Sequence, residues 1–245
     1  LMYTKEQIRF SCLGKTLILN FPWEENNSVF DFVLNFKNIL FIYYKDQIED
    51  ITITFDSINL YFKNEYDHQK LRTEISKLLE DSKFNALIDY KKWKLPVCLD
   101  DSSNADLNLF FKGNKSKVKE YLDRFLSLEF RLVFYGFLPG FPYLSGLPDE
   151  MSIPRKVTPN NQTFKGSVSV GGSQVGIYPQ NCPGGWNVIG NCPVPLFDIK
   201  KEIPTFIQAG DYIQFFQISK EEWIEVTDAI TKGIDHPMLK RIKND

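Results

Sequence analysis

Residues 135–148 read YGFLPGFPYLSGLP, and residues 178–190 repeat the texture as YPQNCPGGWNVIG. Glycine and proline at this density exclude helix, and proline lacks the N–H that a central strand needs. Both segments are therefore expected to be loops. Loops this aromatic are poorly solvated, so they pack as buried corners of a barrel or they wall a pocket or partner surface. Phe137, Pro139, Gly140, Phe141 and Tyr143 are the candidate wall of the first loop, with some of its aromatics expected to stay partly exposed.

The sequence around them supports a barrel. From residue 130 to 218 short β-rich runs alternate with turn residues, as in GSVSVGG (166–172), QVGIYP (174–179) and DYIQFFQI (211–218). Before them, Asn114 is placed to cap a helix carrying Val118, Tyr121, Leu122, Phe125 and Leu126 on one face. After them, Ser219 and Glu222 have the spacing of a capping box.

The N-terminal part has a different grammar. IRFSCL (8–13) and TLILNF (16–21) read as strands, and Ser28 precedes a helical stripe of Val29, Phe32, Val33 and Phe36. DITITFDSINLYF (50–62) supplies more strand, and Asp67 precedes a second stripe of Leu71, Ile75, Leu78 and Leu79. KLPVCL (94–99) returns to strand, and DDSSNAD (100–106) is read as a polar loop. The fold class is α+β: an N-terminal α+β sandwich domain over residues 1–92 and a β-barrel domain over 93–245.

Twenty-nine basic and thirty-one acidic residues give 245 residues a formal charge of −2, which points to neither nucleic acid nor an anionic membrane. The basic run FKGNKSKVK (111–119) reads as a solvated helix end. The N-terminal LMYTKEQIRF lacks the regions of a signal peptide, so a cytoplasmic location is expected. Cys12, Cys98, Cys182 and Cys192 form no C-x-x-C pair, and His68 and His236 stand apart, so no metal site is expected. Walker, nucleophile-elbow and H-E-x-x-H patterns are missing, and GGSQVG (171–176) opens no helix.

What remains is a candidate anion pocket. Arg155 is fixed in IPRKVTP (153–159) between prolines, which suits bidentate contact with a carboxylate or phosphate. The alternative is that it bridges loop carbonyls. Gly184 and Gly185 offer unhindered amides beside Trp186, able to cradle an anion while the indole stacks. The alternative for Trp186 is a core plug. Gln174, Tyr178 and Asn181 are polar groups able to orient an amide.

Taken together, GFLPGFPYLSGLP, IPRKVTP, KGSVSVGGSQVGIYP, CPGGWNVIG, PLFD (195–198) and AGDYIQF (209–215) resemble the family of the B-type subunits of 5-oxoprolinase. That family includes the bacterial kinase A inhibitor and proteins labelled allophanate hydrolase subunit 1, and similar sequence forms half of the carboxyltransferase domain of urea carboxylase. The resemblance implies a cyclophilin-like barrel and work beside two partners, a homologous C-type 5-oxoprolinase subunit with a separate A-type one. It further implies ATP-dependent opening of 5-oxoproline to glutamate, by a chain that is not an autonomous enzyme. Two alternatives come with it: a binding module that inhibits a sensor histidine kinase, and half of a urea-type carboxyltransferase. Three positions depart from the family pattern. YLDRFLSLEF (121–130) lacks the usual histidine, and Asn160 and Asn191 stand where arginines are typical.

Overall fold

The computed structural model describes residues 7–22, 27–81, 90–100 and 104–234, and His236 lies outside them. The chain divides into two compact units, Leu1–Asp89 and Tyr90–Asp245.

In the first unit, β1 (Arg9–Leu13), β2 (Thr16–Asn20), β3 (Ile48–Ile53) and β4 (Ser57–Phe62) form an antiparallel sheet of order β1-β2-β4-β3. Alternation along β2 and β4 turns Leu17, Leu19, Ile58, Leu60 and Phe62 to one buried face. Helices α1 (Asn27–Tyr44) and α2 (His68–Asp81) share a core with that face through Val33, Phe36, Leu40, Leu71 and Ile75. The Asp67 carboxylate starts α2, accepting from the Gln69 and Lys70 amides at 2.9 and 3.0 Å. The side chain of Ser28, expected as the cap of α1, lies outside the described residues. No described helix is long and apolar enough to cross a membrane.

The second unit is built on a closed barrel. Its strands are β5 (Lys92–Cys98), β6 (Glu129–Tyr135), β7 (Pro142–Ser145), β9 (Ser167–Gly171), β10 (Gln174–Ile177), β12 (Asn187–Asn191) and β13 (Tyr212–Ile218). They close in the order β10-β7-β6-β13-β5-β12-β9, while β8 (Asn160–Thr163) and β11 (Cys182–Gly184) make a separate pair. Leu95, Val97, Leu132, Leu144, Val168, Val170, Val175 and Phe215 belong to its core. Helix α4 (Lys115–Ser127) adds Val118, Tyr121, Leu122 and Phe125, with Asn114 Oδ1 accepting from Lys117 N–H. Helix α5 (Lys220–Lys232) begins at the Ser219–Glu222 capping box and ends at Gly233.

Three expectations need correction. KLPVCL lies in the barrel, as the 93–245 domain implies, and its strand β5 pairs in parallel with β13 along its whole length. The division at 92/93 would cut that strand, and the second unit begins at Tyr90. The polar loop ends early, since Ala105–Phe110 is a short helix, α3, whose Leu107 is buried. The two aromatic segments are strand as well as loop. Pro142 is the first residue of β7, where a missing N–H costs little, and NVIGN forms β12.

Candidate functional site

The β6–β7 turn sets the aromatic residues apart. Gly140 has φ +84°, and a Cβ there would overlap the side chain of Phe197. Phe137 holds φ +61°, a conformation that disfavours a bulky side chain. The turn sends Phe141 inward, 1% exposed, and leaves Phe137 outward at 61%. Pro139 is exposed and Gly140 buried between them.

Phe141 anchors a cluster on the barrel's outer surface. Its ring meets Tyr178 edge-on at 5.1 Å, Trp186 at 5.4 Å and Phe137 at 5.5 Å. Tyr143 stacks on Phe134 at 4.5 Å and touches the Trp186 edge at 5.6 Å. Trp186 covers Gly171, and it shares the surface of Gly176 with Phe141, leaving no room for a Cβ at either glycine. Trp186 is therefore a buried plug, not a free stacking face. Of the expected partly exposed aromatics, Phe137 and Tyr143 are so, whereas Phe141 and Trp186 are buried.

Arg155 sits above this plug, its guanidinium carbon 5.4 Å from the Trp186 ring centre. Its backbone is clamped on both sides. Pro154 C=O accepts from Asn187 Nδ2 at 2.9 Å, and Lys156 N–H donates to Gly185 C=O at 2.8 Å. The Arg155 side chain is exposed and bonds no carbonyl or carboxylate among the described residues.

The two glycines differ, since space is open around Gly185 and filled around Gly184. Gly184 is buried, with the Tyr178 hydroxyl and Thr163 Oγ1 where a Cβ would stand. The Gly185 carbonyl is occupied by the Lys156 amide. Gln174 Oε1, Thr163 Oγ1 and Ser169 Oγ are buried with no hydrogen-bond partner.

Two cavities lie on the same unit. One, of about 440 Å³, is lined by Pro139, Gly140 and Tyr178 together with Lys165, Asn191, Cys192 and Trp223. The other, of about 550 Å³, is lined by Asp106, Asn160, Thr163, Asn181 and again Lys165, Asn191 and Trp223. Tyr178 thus belongs to both the aromatic cluster and a cavity wall. Arg155, Gln174, Gly184, Gly185 and Trp186 line neither.

Asp106, Lys156, Lys165 and Trp223 went unnoticed in the sequence. Asp106 pairs with Lys156 Nζ at 2.5 Å and accepts from Val188 N–H at 2.9 Å. Asn160 accepts from Lys156 Nζ at 3.1 Å, and Asn191 Oδ1 accepts from Trp223 Nε1 at 2.9 Å. Asn160 and Asn191, where the resemblance leads one to expect arginines, are therefore neutral braces, the first on the Lys156 ammonium and the second on the Lys165 backbone.

These groups do not make a nucleophile–base pair. Burial raises the pKa of Tyr178 and of Tyr143, the latter partly offset by the Arg155 charge, so both phenols keep their protons. Burial likewise pushes the Cys192 thiol up to about 12. Among the described residues no three His, Cys, Asp or Glu side chains cluster as metal ligands. What the site presents is an exposed arginine on a buried indole, beside polar side chains with unpaired buried atoms.

The sequence matches the carboxyltransferase domain, subdomain C and D, over residues 8–207, and the chain belongs to that family. Two similar proteins from different bacteria carry the same subunit name. The B-type subunit of 5-oxoprolinase from Bacillus subtilis is 31% identical over 180 residues, covering 74% of this chain and 70% of that protein. Its counterpart from Haemophilus influenzae is 37% identical over 122 residues, covering 50% of this chain and 57% of that protein. Urea carboxylase of Kluyveromyces lactis superposes with a TM-score of 0.72 at 16% identity, covering 97% of this chain and 23% of that one, a likeness of fold.

Proposed function

We propose that this chain is the B-type subunit of an ATP-dependent 5-oxoprolinase-type amide hydrolase, working in a heteromeric complex with homologous C-type and separate A-type subunits. Family membership supports the reaction class. The single structural observation that supports a non-autonomous role is Phe137. An aromatic held exposed at positive φ is costly in a lone chain and useful at an interface.

The chemistry asks for such an arrangement. A five-membered lactam is an unreactive amide, so its oxygen must be activated before water attacks. ATP enters as a substrate of the assembled complex, and this sequence has no glycine-rich strand-to-helix turn of the P-loop kind. This chain supplies cations, amide-orienting groups and an apolar wall. Arg155, already desolvated on its Trp186 side, would meet an anionic group when a partner closes over the cluster.

The same exposed Phe137 supports a second reading, a docking module for a sensor histidine kinase. Co-expression separates the two. The hydrolase reading expects co-elution with the C-type and A-type subunits, reduced by F137A. Co-elution with the kinase alone would favour the second.

A further inference from the structure

Lys165 lines both cavities, and its backbone is braced from several directions. Its N–H donates to Asn181 Oδ1 at 2.8 Å, and its C=O accepts from Asn191 Nδ2 at 2.9 Å. The next residue, Gly166, has φ +81° and donates its N–H to the Tyr178 carbonyl at 2.7 Å. These bonds hold the base of the lysine side chain in the wall that the two cavities share.

The neighbouring cations are accounted for. Lys156 pairs with Asp106, while Lys220 lies 3.4 Å from Asp100 and 4.6 Å from the Trp223 ring centre. The Lys165 ammonium has no carboxylate partner among the described residues, so the lining of the smaller cavity keeps one net positive charge. Two hydroxyls on the cavity walls are also unsatisfied. Thr227 Oγ1 in the smaller cavity and Thr163 Oγ1 in the larger are buried without a partner, and Thr163 is 2% exposed. The smaller cavity is also lined by apolar Pro193, Pro195, Leu196 and Ile230. Buried hydroxyls left unpaired by the protein are costly, and water or a ligand completes their bonding.

We propose that the cavity of about 440 Å³ beside Lys165 binds a small organic monocarboxylate with a compact apolar or lactam body. Lys165 takes the carboxylate, the prolines and Leu196 pack the body, and Thr227 bonds its polar atom. The volume lies in the range of small-molecule pockets. The choice of 5-oxoproline as a probe rests on the hydrolase reading; the site itself does not.

The test is calorimetric titration of the purified chain at low salt with three probes: 5-oxoproline, cyclopentanecarboxylate and neutral 2-pyrrolidinone. Both carboxylates are expected to bind, with pyrrolidinone weaker by about tenfold or more, since one charge-assisted bond is lost. K165M should weaken the carboxylates by about tenfold, K165R should retain most of the affinity, and K117M should change nothing. Failure of both carboxylates to bind, or equal binding by K165M, overturns the proposal. Binding of cyclopentanecarboxylate lost in K165M, with none of 5-oxoproline, upholds the site and counts against the hydrolase reading.

Discussion

The Arg155 guanidinium rests 5.4 Å above the centre of the Trp186 ring, an exposed cation on a buried indole. Exposed cation–π contacts contribute about 0.5–1 kcal/mol. R155A should therefore lower the stability of the chain by no more than about 1 kcal/mol in urea unfolding. It should nonetheless depress the activity of the assembled enzyme several-fold. Unchanged complex activity would make Arg155 a packing residue.

Trp186 carries far more of the fold. Its ring closes over Gly171 and Gly176 and braces Phe141, Tyr143 and Arg155. W186A should cost about 3–5 kcal/mol, with W186F recovering part of it. Urea melts of the two variants measure this directly. A loss below about 1 kcal/mol for W186A would mean that the cluster is not structural.

Phe137 is expected to behave in the opposite way. Left-handed backbone costs a non-glycine residue about 1–2 kcal/mol, so F137G should leave the lone chain as stable or slightly more so. Assembly should suffer by about 2 kcal/mol or more, roughly thirtyfold in affinity. Gel-filtration titration against the partner subunits, beside thermal melts of the lone chain, separates the two effects.

Cys192 supplies a pH-dependent prediction. Burial raises its thiol from 9.0 to about 12, so the native state keeps a proton that the unfolded chain releases near 9. The unfolded state then binds fewer protons between these values, and this contribution to stability is present below pH 9 and lost as pH rises toward 12. Alkylation followed by mass spectrometry should modify exposed Cys12 in the native chain at about pH 8 and Cys192 only on unfolding. Rapid native labelling of Cys192 would contradict its burial.

The elements legible in the sequence were those with local signals. Asn114, the Val118–Phe125 stripe and the Ser219–Glu222 box announce helices within a few residues, and the structure places them there. What stayed hidden depends on distant partners. KLPVCL acquires its place from β13, about 120 positions away, and strand β7 begins on a proline that reads as a breaker. All five residues of β9 are buried although SVSVG alternates, and at Gly171 the covering group is the distant Trp186 ring. The site divides in the same way. Arg155 and Trp186 stand out through rigid and aromatic context, whereas Lys165 looks like a solvated turn residue. Its bracing comes from Asn181 and Asn191, sixteen and twenty-six positions away.

Glutamate formation from 5-oxoproline, measured in parallel mixtures of this chain, its C-type and A-type partners, and ATP, tests the central reading most directly. Glutamate is expected in the complete mixture, and omission of any one component should abolish it. Formation by this chain alone, or undiminished formation in its absence, would contradict the account.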